Sequence, residues 1–369
     1  MSHHYHDPCV KDAYVGVCYR DFSEYSDYDD YGPYGDCAQQ SKAKHRGLGV
    51  NANMTVRVLR KHGVKADVVA VNDANDVRKW LSKHAPTHLA IQGLWLTAEE
   101  QTELCTDFPD VHFVVRCHSQ IGFLQVEPRA IRILRDLMRL QEGLLNLSVS
   151  SNTHRLRHFV EHSYHTKILY LPNLYDMERS HIKRDEPHSH RLLRISSFGA
   201  HRLLKNHTTA LAAAMLMARR RQSDLEFYVN AGRQEGPHAR EGSVLQSLRA
   251  ISTGVPWLKL VEVPWGEHAS FRHHVAHMDL CMQVSFTETF NIVTCDAISE
   301  GVPSVVGPAI EWAPDSWKTD TDDAEKIART GSHLLSDTQG AREGFEHLER
   351  YTKDSVSTWL HYLSSNPTV

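Results

Sequence analysis

Met282-Gln-Val-Ser-Phe-Thr-Glu288-Thr-Phe290-Asn291-Ile292-Val-Thr-Cys-Asp296-Ala297-Ile-Ser-Glu-Gly301-Val-Pro303-Ser-Val305-Val-Gly307 is the stretch whose reading decides the fold. The apolar run from Leu280 to Val284 reads as a buried strand. Ser285, Thr287 and Glu288 interrupt it. Ile292, Val293, Ala297 and Ile298 then recur near helical spacing, which predicts a helix from about Asn291. Gly301 ends that helix as a left-handed cap, and Pro303 leads into a second apolar strand over 304–306. Strand, turn, helix, turn, strand is the parallel βαβ unit.

Glu288 falls in the loop at the C-terminal end of the first strand, where open α/β sheets take their ligands. Asp296 falls about one and a half turns into the helix, at roughly 3.6 residues per turn. The first turn of such a helix offers free N–H groups and a positive dipole end to a phosphate. A carboxylate on either side accepts two hydroxyl hydrogens at once, as a sugar diol requires.

The stretch resembles the donor-site motif of retaining glycosyltransferases of family 4, which have the GT-B fold. That motif is Glu, seven residues, Glu, then Gly-x-Pro and an apolar strand. Glu288, Phe290, Ala297, Gly301, Pro303 and Val305 match it. Asp296 stands in the place of the second Glu, one methylene shorter, and Asn291 in the place of the usual Gly after the Phe. The resemblance covers most of the chain from Ala13 to Leu335. It implies an α/β protein with two Rossmann-like, doubly wound parallel-sheet domains facing across a cleft. A C-terminal helix packs back on the first domain. The expected division is 1–180 for the N-terminal acceptor-side domain, 181–190 for a charged linker, 191–340 for the nucleotide-sugar donor domain and 341–369 for the returning helix.

Composition agrees with this class. The 369 residues suit two cores rather than one. Hydrophobic content of 41% and charged content of 23% are ordinary for a globular protein. A formal charge of −4 supplies no field that gathers nucleic acid non-specifically. The longest apolar run, Ala210 to Ala218, is too short to cross a bilayer, so no stable membrane insertion is expected. The N-terminal residues carry no apolar signal region, and seven cysteines without Cys-x-x-Cys spacing read as reduced thiols. The expected location is cytoplasmic.

In the first half, Ala13 to Tyr19 reads as a buried strand, followed by a Tyr- and Asp-rich loop from Arg20 to Cys37. The loop is open to two readings, a sugar or base platform and a surface loop. Gly47-Leu48-Gly49 precedes an amphipathic helix with Val50, Met54, Val58 and Leu59 inward. The resemblance makes Gly47 and Gly49 donor contacts; the residues alone equally allow a tight turn. His118 follows the predicted strand 111–116, and the resemblance gives it the sugar's primary hydroxyl. A structural loop histidine is the other reading. His154, His158 and His162, and likewise His273 and His277, recur every four residues. Each set forms one helical face, without a carboxylate or cysteine to complete a metal site. Pro172-Asn173-Leu174 resembles the turn that closes the first GT-B domain.

In the second half, the strand 192–198 leads into Gly199-Ala200-His201-Arg202-Leu203-Leu204-Lys205-Asn206 and an Ala-rich helix. The family carries an Arg just after the Gly and a Lys six residues after it, both on the donor phosphates. Lys205 keeps the second place and Asn206 follows it as usual. Ala200 holds the Arg place, with Arg202 two residues on as its substitute. Gly232 ends the next strand, and Trp265, in Pro264-Trp265-Gly266, lies where the family faces the nucleobase. A hydrophobic plug is the plainer reading of Trp265. Phe290, Asn291 and Ile292 complete the donor set at the helix start.

The implied activity is a retaining, metal-independent transfer from a nucleotide-diphosphate sugar to a hydroxyl acceptor. Glu288 and His118 hold the transferring sugar, Asp296 the ribose, and Lys205 with helix N-termini the diphosphate. No cofactor is implied besides that donor substrate. The acceptor is open: carbohydrate, lipid, small molecule or modified nucleobase. Two alternatives stand beside it, a glycosyltransferase acting on a hydroxymethylated base in DNA, and a GT-B module that binds a nucleotide sugar without chemistry.

Overall fold

The computed structural model describes residues 10, 12–21, 47–177, 191–231, 243–337 and 339–365. The loop beyond Asp21, the linker 181–190 and Gly232 lie outside the described residues. The chain divides into two compact units. The first holds the described residues of Met1–Glu24, Lys42–Asp176 and Tyr351–Val369, and the second those of Met177–Arg350.

The first unit is built on six parallel strands: β1 (Tyr14–Arg20), β2 (Lys65–Val71), β3 (His88–Gln92), β4 (His112–Cys117), β5 (Leu147–Ser151) and β6 (Leu169–Tyr170). They lie in the order β2-β1-β3-β4-β5-β6. A parallel sheet needs cover on both faces, and the strand residues alternate between two apolar clusters accordingly. Val15, Val17, Tyr19, Ala90 and Val114 face the helix Gly47–Lys61 through Ala52, Val56 and Leu59. Cys18, Leu89, Ile91, Phe113, Val115 and Val149 join Val77, Leu104, Leu137 and Leu156 of the helices on the other side. Val356, Trp359, Leu360, Tyr362 and Leu363, from the last helix Gly340–Ser365, belong to the first of these clusters.

The second unit has five parallel strands: β7 (Leu192–Ser196), β8 (Asp224–Ala231), β9 (Leu258–Pro264), β10 (Leu280–Gln283) and β11 (Ser304–Val306). Their order is β11-β10-β7-β8-β9. The predicted βαβ unit is β10, the helix Ile292–Ser299 and β11. Gly301 has φ +71° and ends that helix as expected. Its N–H reaches Ile298 O and the N–H of Val302 reaches Ala297 O, both at 2.8 Å, which is the Schellman pattern.

Two local readings change. Gly47 and Gly49 do not form a turn ahead of the helix; both lie within the described helix Gly47–Lys61, and Gly49 is buried. Two glycines weaken a helix without forbidding it, and the apolar face packed on β1 decides the matter. The strand expected over 167–171 pairs only at Leu169 and Tyr170, at the edge of the sheet.

Candidate functional site

In a doubly wound sheet, ligands bind beyond the strand ends where the winding reverses. In the second unit that point lies between β7 and β10, which pair directly. The loop after β7 carries Gly199 to Asn206 and the loop after β10 carries Val284 to Asn291. The two loops are fastened together: Phe286 N donates to Leu204 O at 3.0 Å, and Asn206 Nδ2 to Val284 O at 3.1 Å and Thr321 O at 2.6 Å.

Within this frame Lys205 Nζ donates to Oε1 of Glu288 as an ion pair, with side chains 17% and 12% exposed. Thr289 N also donates to Glu288 Oε2 at 3.2 Å. Burial works to raise the Glu288 pKa, but Lys205, the field of Arg202 and the Thr289 amide outweigh it. The carboxyl therefore lies below the ordinary carboxylate range and is ionised at neutral pH.

Gly199 has φ +129°, a backbone region that an L side chain adopts only with strain, and its N–H donates to Asn230 Oδ1 at 2.8 Å. Two buried histidines hold the same loop. His201 Nε2 bonds Asn230 O, and His207 Nδ1 lies 2.9 Å from Ser197 Oγ. Burial pushes His207 down to about 3 and lowers His201 as well, so both stay neutral. Asn206 is left-handed, and its amide is spent on the two carbonyls above. The helix His207–Arg221 therefore starts without a side-chain cap.

Asn291 occupies the place where the family motif has Gly, and its φ is +59°. Among residues with a side chain, Asn tolerates that region best. Its Oδ1 caps the helix through Thr294 N at 2.9 Å, and its Nδ2 donates to Gln283 Oε1 at 2.9 Å. Phe290 is buried beside Trp312, whose Nε1–H donates to Phe290 O at 2.7 Å. Ile292, partly buried, opens the helix. Asp296 is fully buried inside that helix, with Oδ2 2.9 Å from Nε2 of His268. Trp265 is partly buried in the turn that follows β9, the edge strand. Ala200 is buried, and its carbonyl lies 3.4 Å from His207 Nε2.

In the first unit the winding reverses between β1 and β3. Gly47 lies in the helix Gly47–Lys61, the next described element after β1, and His118 follows β4, next to β3. Gln92, the last residue of β3, takes Arg116 Nη1 at 2.7 Å and His118 Nε2 at 2.6 Å on the same oxygen, Oε1. Because Oε1 only accepts, His118 carries its hydrogen on Nε2. Burial and the Arg116 charge hold its pKa well below the usual histidine range.

Arg116 itself is fully buried. Its Nη2 donates to Leu171 O, Pro172 O and Asn173 Oδ1 at 2.9, 3.0 and 3.2 Å, and its guanidinium lies 4.9 Å from the Trp359 ring centroid. Even pushed down to about 9 by burial, it stays charged at neutral pH. Sequence reading missed Arg116, Gln92, Gln283 and His268. A lone Arg inside Phe113-Val114-Val115-Arg116-Cys117 was the visible signal for the first. His268 and Arg272, four apart, face Asp296 and Glu300, also four apart, and that matched spacing was a signal for His268. The four-spaced histidines bond the helix backbone: His162 Nδ1 lies 2.9 Å from His158 O, and His277 Nδ1 2.7 Å from His273 O.

Two all-parallel, doubly wound α/β units give this chain the GT-B fold. It is similar to the sucrose-phosphate synthase of Thermosynechococcus elongatus, at 14% identity and TM-score 0.63, over 94% of this chain and 98% of that one. A UDP-forming α,α-trehalose-phosphate synthase from Burkholderia xenovorans is similar at 11% identity and TM-score 0.57, over 79% of this chain and 74% of that one. A TarM variant of S. aureus, in complex with fondaparinux, α-GlcNAc-glycerol and UDP, is similar at 11% identity and TM-score 0.58. That match covers 79% of this chain and 59% of TarM, so this chain spans little more than half of TarM's length. No protein-family model matches the chain, and no curated protein matches its sequence. Among the described residues, no helix is long and apolar enough to cross a membrane.

Proposed function

We propose that the chain is a retaining glycosyltransferase that moves a sugar from a nucleotide-diphosphate donor to a hydroxyl acceptor without a metal. The observation that carries the reading is the shielded Lys205–Glu288 pair at the reversal point of the second sheet. It belongs to a fold shared with a protein solved with UDP.

The chemistry follows from the groups. Lys205 and the uncapped start of the helix His207–Arg221 offer positive charge to a diphosphate. Ionised Glu288 accepts hydroxyl hydrogens of the transferring sugar and holds Lys205 in place. The leaving diphosphate takes the acceptor's proton on the face it departs from, so no enzymic nucleophile is needed. Fixed charges and dipoles supply the rate. His118, neutral and oriented by Gln92, is the hydroxyl-binding group of the first unit.

The test is a panel of UDP-, GDP- and ADP-sugars, followed by nucleoside diphosphate release, the anomeric configuration of the product and the effect of a chelator. Release with retained configuration, unchanged by chelator, is expected. Absence of both release and thermal shift with every donor would overturn the reading. A thermal shift without release would leave a binding module, to which Ala200 in the Arg place lends some support.

A further inference from the structure

We infer that His268, held by Asp296, makes the contact to a ribose hydroxyl of the bound nucleotide. The inference rests on the nucleotide reading above and changes which residue touches the ligand. Asp296 has 0% side-chain exposure, so its carboxylate cannot meet a ligand directly. Its Oδ2 is 2.9 Å from His268 Nε2, and His268 is 26% exposed. A carboxylate oxygen accepts, so the hydrogen sits on Nε2, and in the neutral ring Nδ1 keeps its lone pair. Among the described residues His268 has no other hydrogen-bond partner.

The ring is set at the first residue of the helix His268–Ala276, just after the turn that follows β9. This is the C-terminal edge of the sheet, the side that takes ligands. Arg272, one turn on, pairs with nearly buried Glu300 through Nε and Oε1 at 2.6 Å, which fixes the spacing of the two helices independently of His268. Asp296 is thus a positioning residue, and His268 Nδ1 carries its negative character to the surface.

The chemistry of recognition changes with it. A carboxylate accepts from two hydroxyls, whereas one imidazole lone pair accepts from one. The site should therefore read one ribose hydroxyl and ignore its neighbour. The experiment measures dissociation constants of UDP, GDP and ADP, each beside its 2′-deoxy and 3′-deoxy form, by calorimetry. For the nucleotide that binds, one deoxy form should bind about fivefold to tenfold more weakly than its parent and the other equally. His268→Ala should bind parent and deoxy forms alike. His268→Lys, which keeps a donor toward Asp296 and brings no acceptor, should do the same while matching the parent protein's thermal midpoint. Discrimination surviving in both variants overturns the inference, as does a parent protein that binds all three forms alike. Failure of all three parent nucleotides to bind overturns the nucleotide reading and this inference with it.

Discussion

Lys205 and Glu288 lie 83 positions apart in the chain and meet as an ion pair beyond the ends of two neighbouring strands, β7 and β10. The pair is shielded but not sealed, so each partner keeps a face for a ligand. Its geometry comes from backbone fastening, since Phe286 N to Leu204 O and the Asn206 amide fix the two loops. Removing a charge should therefore alter chemistry more than shape.

Glu288→Gln keeps the side chain's volume and removes its charge. Lys205→Ala removes the partner. Each should lower sugar transfer by roughly two decades or more, a size typical of preorganised charge in a shielded site. Circular dichroism should stay at the parent level. Parent-like turnover in both variants would remove the pair from the mechanism.

Asn291 combines a left-handed backbone with a helix cap. Asn291→Ala loses both, at about 1 kcal/mol for the cap and about 1–2 kcal/mol for the conformation. Asn291→Gly keeps the conformation and should cost distinctly less. Urea unfolding of the two variants orders them; an Ala variant as stable as the Gly variant would contradict the role assigned to this backbone.

The second unit should lose stability in mild acid. His207 titrates at about 3 in the folded chain against about 6.5 unfolded, so the unfolded chain binds the extra proton between those values. Stability then falls as pH drops from about 6.5 toward 3, by at most about 1.4 kcal/mol per pH unit for this group. His201, also lowered by burial, adds in the same direction. Glu288 adds a further loss, because its folded pKa is depressed: its contribution is present above the unfolded carboxylate value and lost as pH falls through the folded one. His207→Gln should flatten the urea midpoint against pH over 5–6.5. An unchanged slope would exclude His207 as its source.

Arg116 is a buried cation held by neutral oxygens. Arg116→Met takes the guanidinium donor from Leu171 O and leaves Gln92 Oε1 and Pro172 O with only His118 and Trp359 as donors among the described residues, and should cost about 3 kcal/mol. Trp359→Phe, which loses the Nε1–H donated to Pro172 O at 2.8 Å and part of the ring volume of a fully buried indole, should cost about 2 kcal/mol. A thermal melt of each variant tests the ranking.

The legibility of this chain follows the range of its interactions. Strands and helices were readable wherever apolar spacing is local, as in Leu280 to Gln283 and Ile292 to Ser299. The Lys205–Glu288 partnership was approached through a motif, because both ends fall at loop positions with recognisable neighbours. Gln92 with Arg116, and Gln283 with Asn291, pair through side chains brought together by strand order, and no spacing along one segment announces them. Gly47 and Gly49 read locally as a turn, yet both are helical, because the packing of a whole face outweighs two weak residues.

The seating of Val356, Trp359 and Leu363 in the first unit's core has a consequence for biosynthesis. A ribosome delivers β1 to β6 long before it delivers these side chains, with the entire second unit emerging in between. Until then Arg116 lacks its indole cover, and the apolar face that the helix Gly47–Lys61 shares with the last helix is only partly covered. The amino-terminal half should thus emerge as an incomplete intermediate that needs chaperone protection, while the later half can reach its native state first.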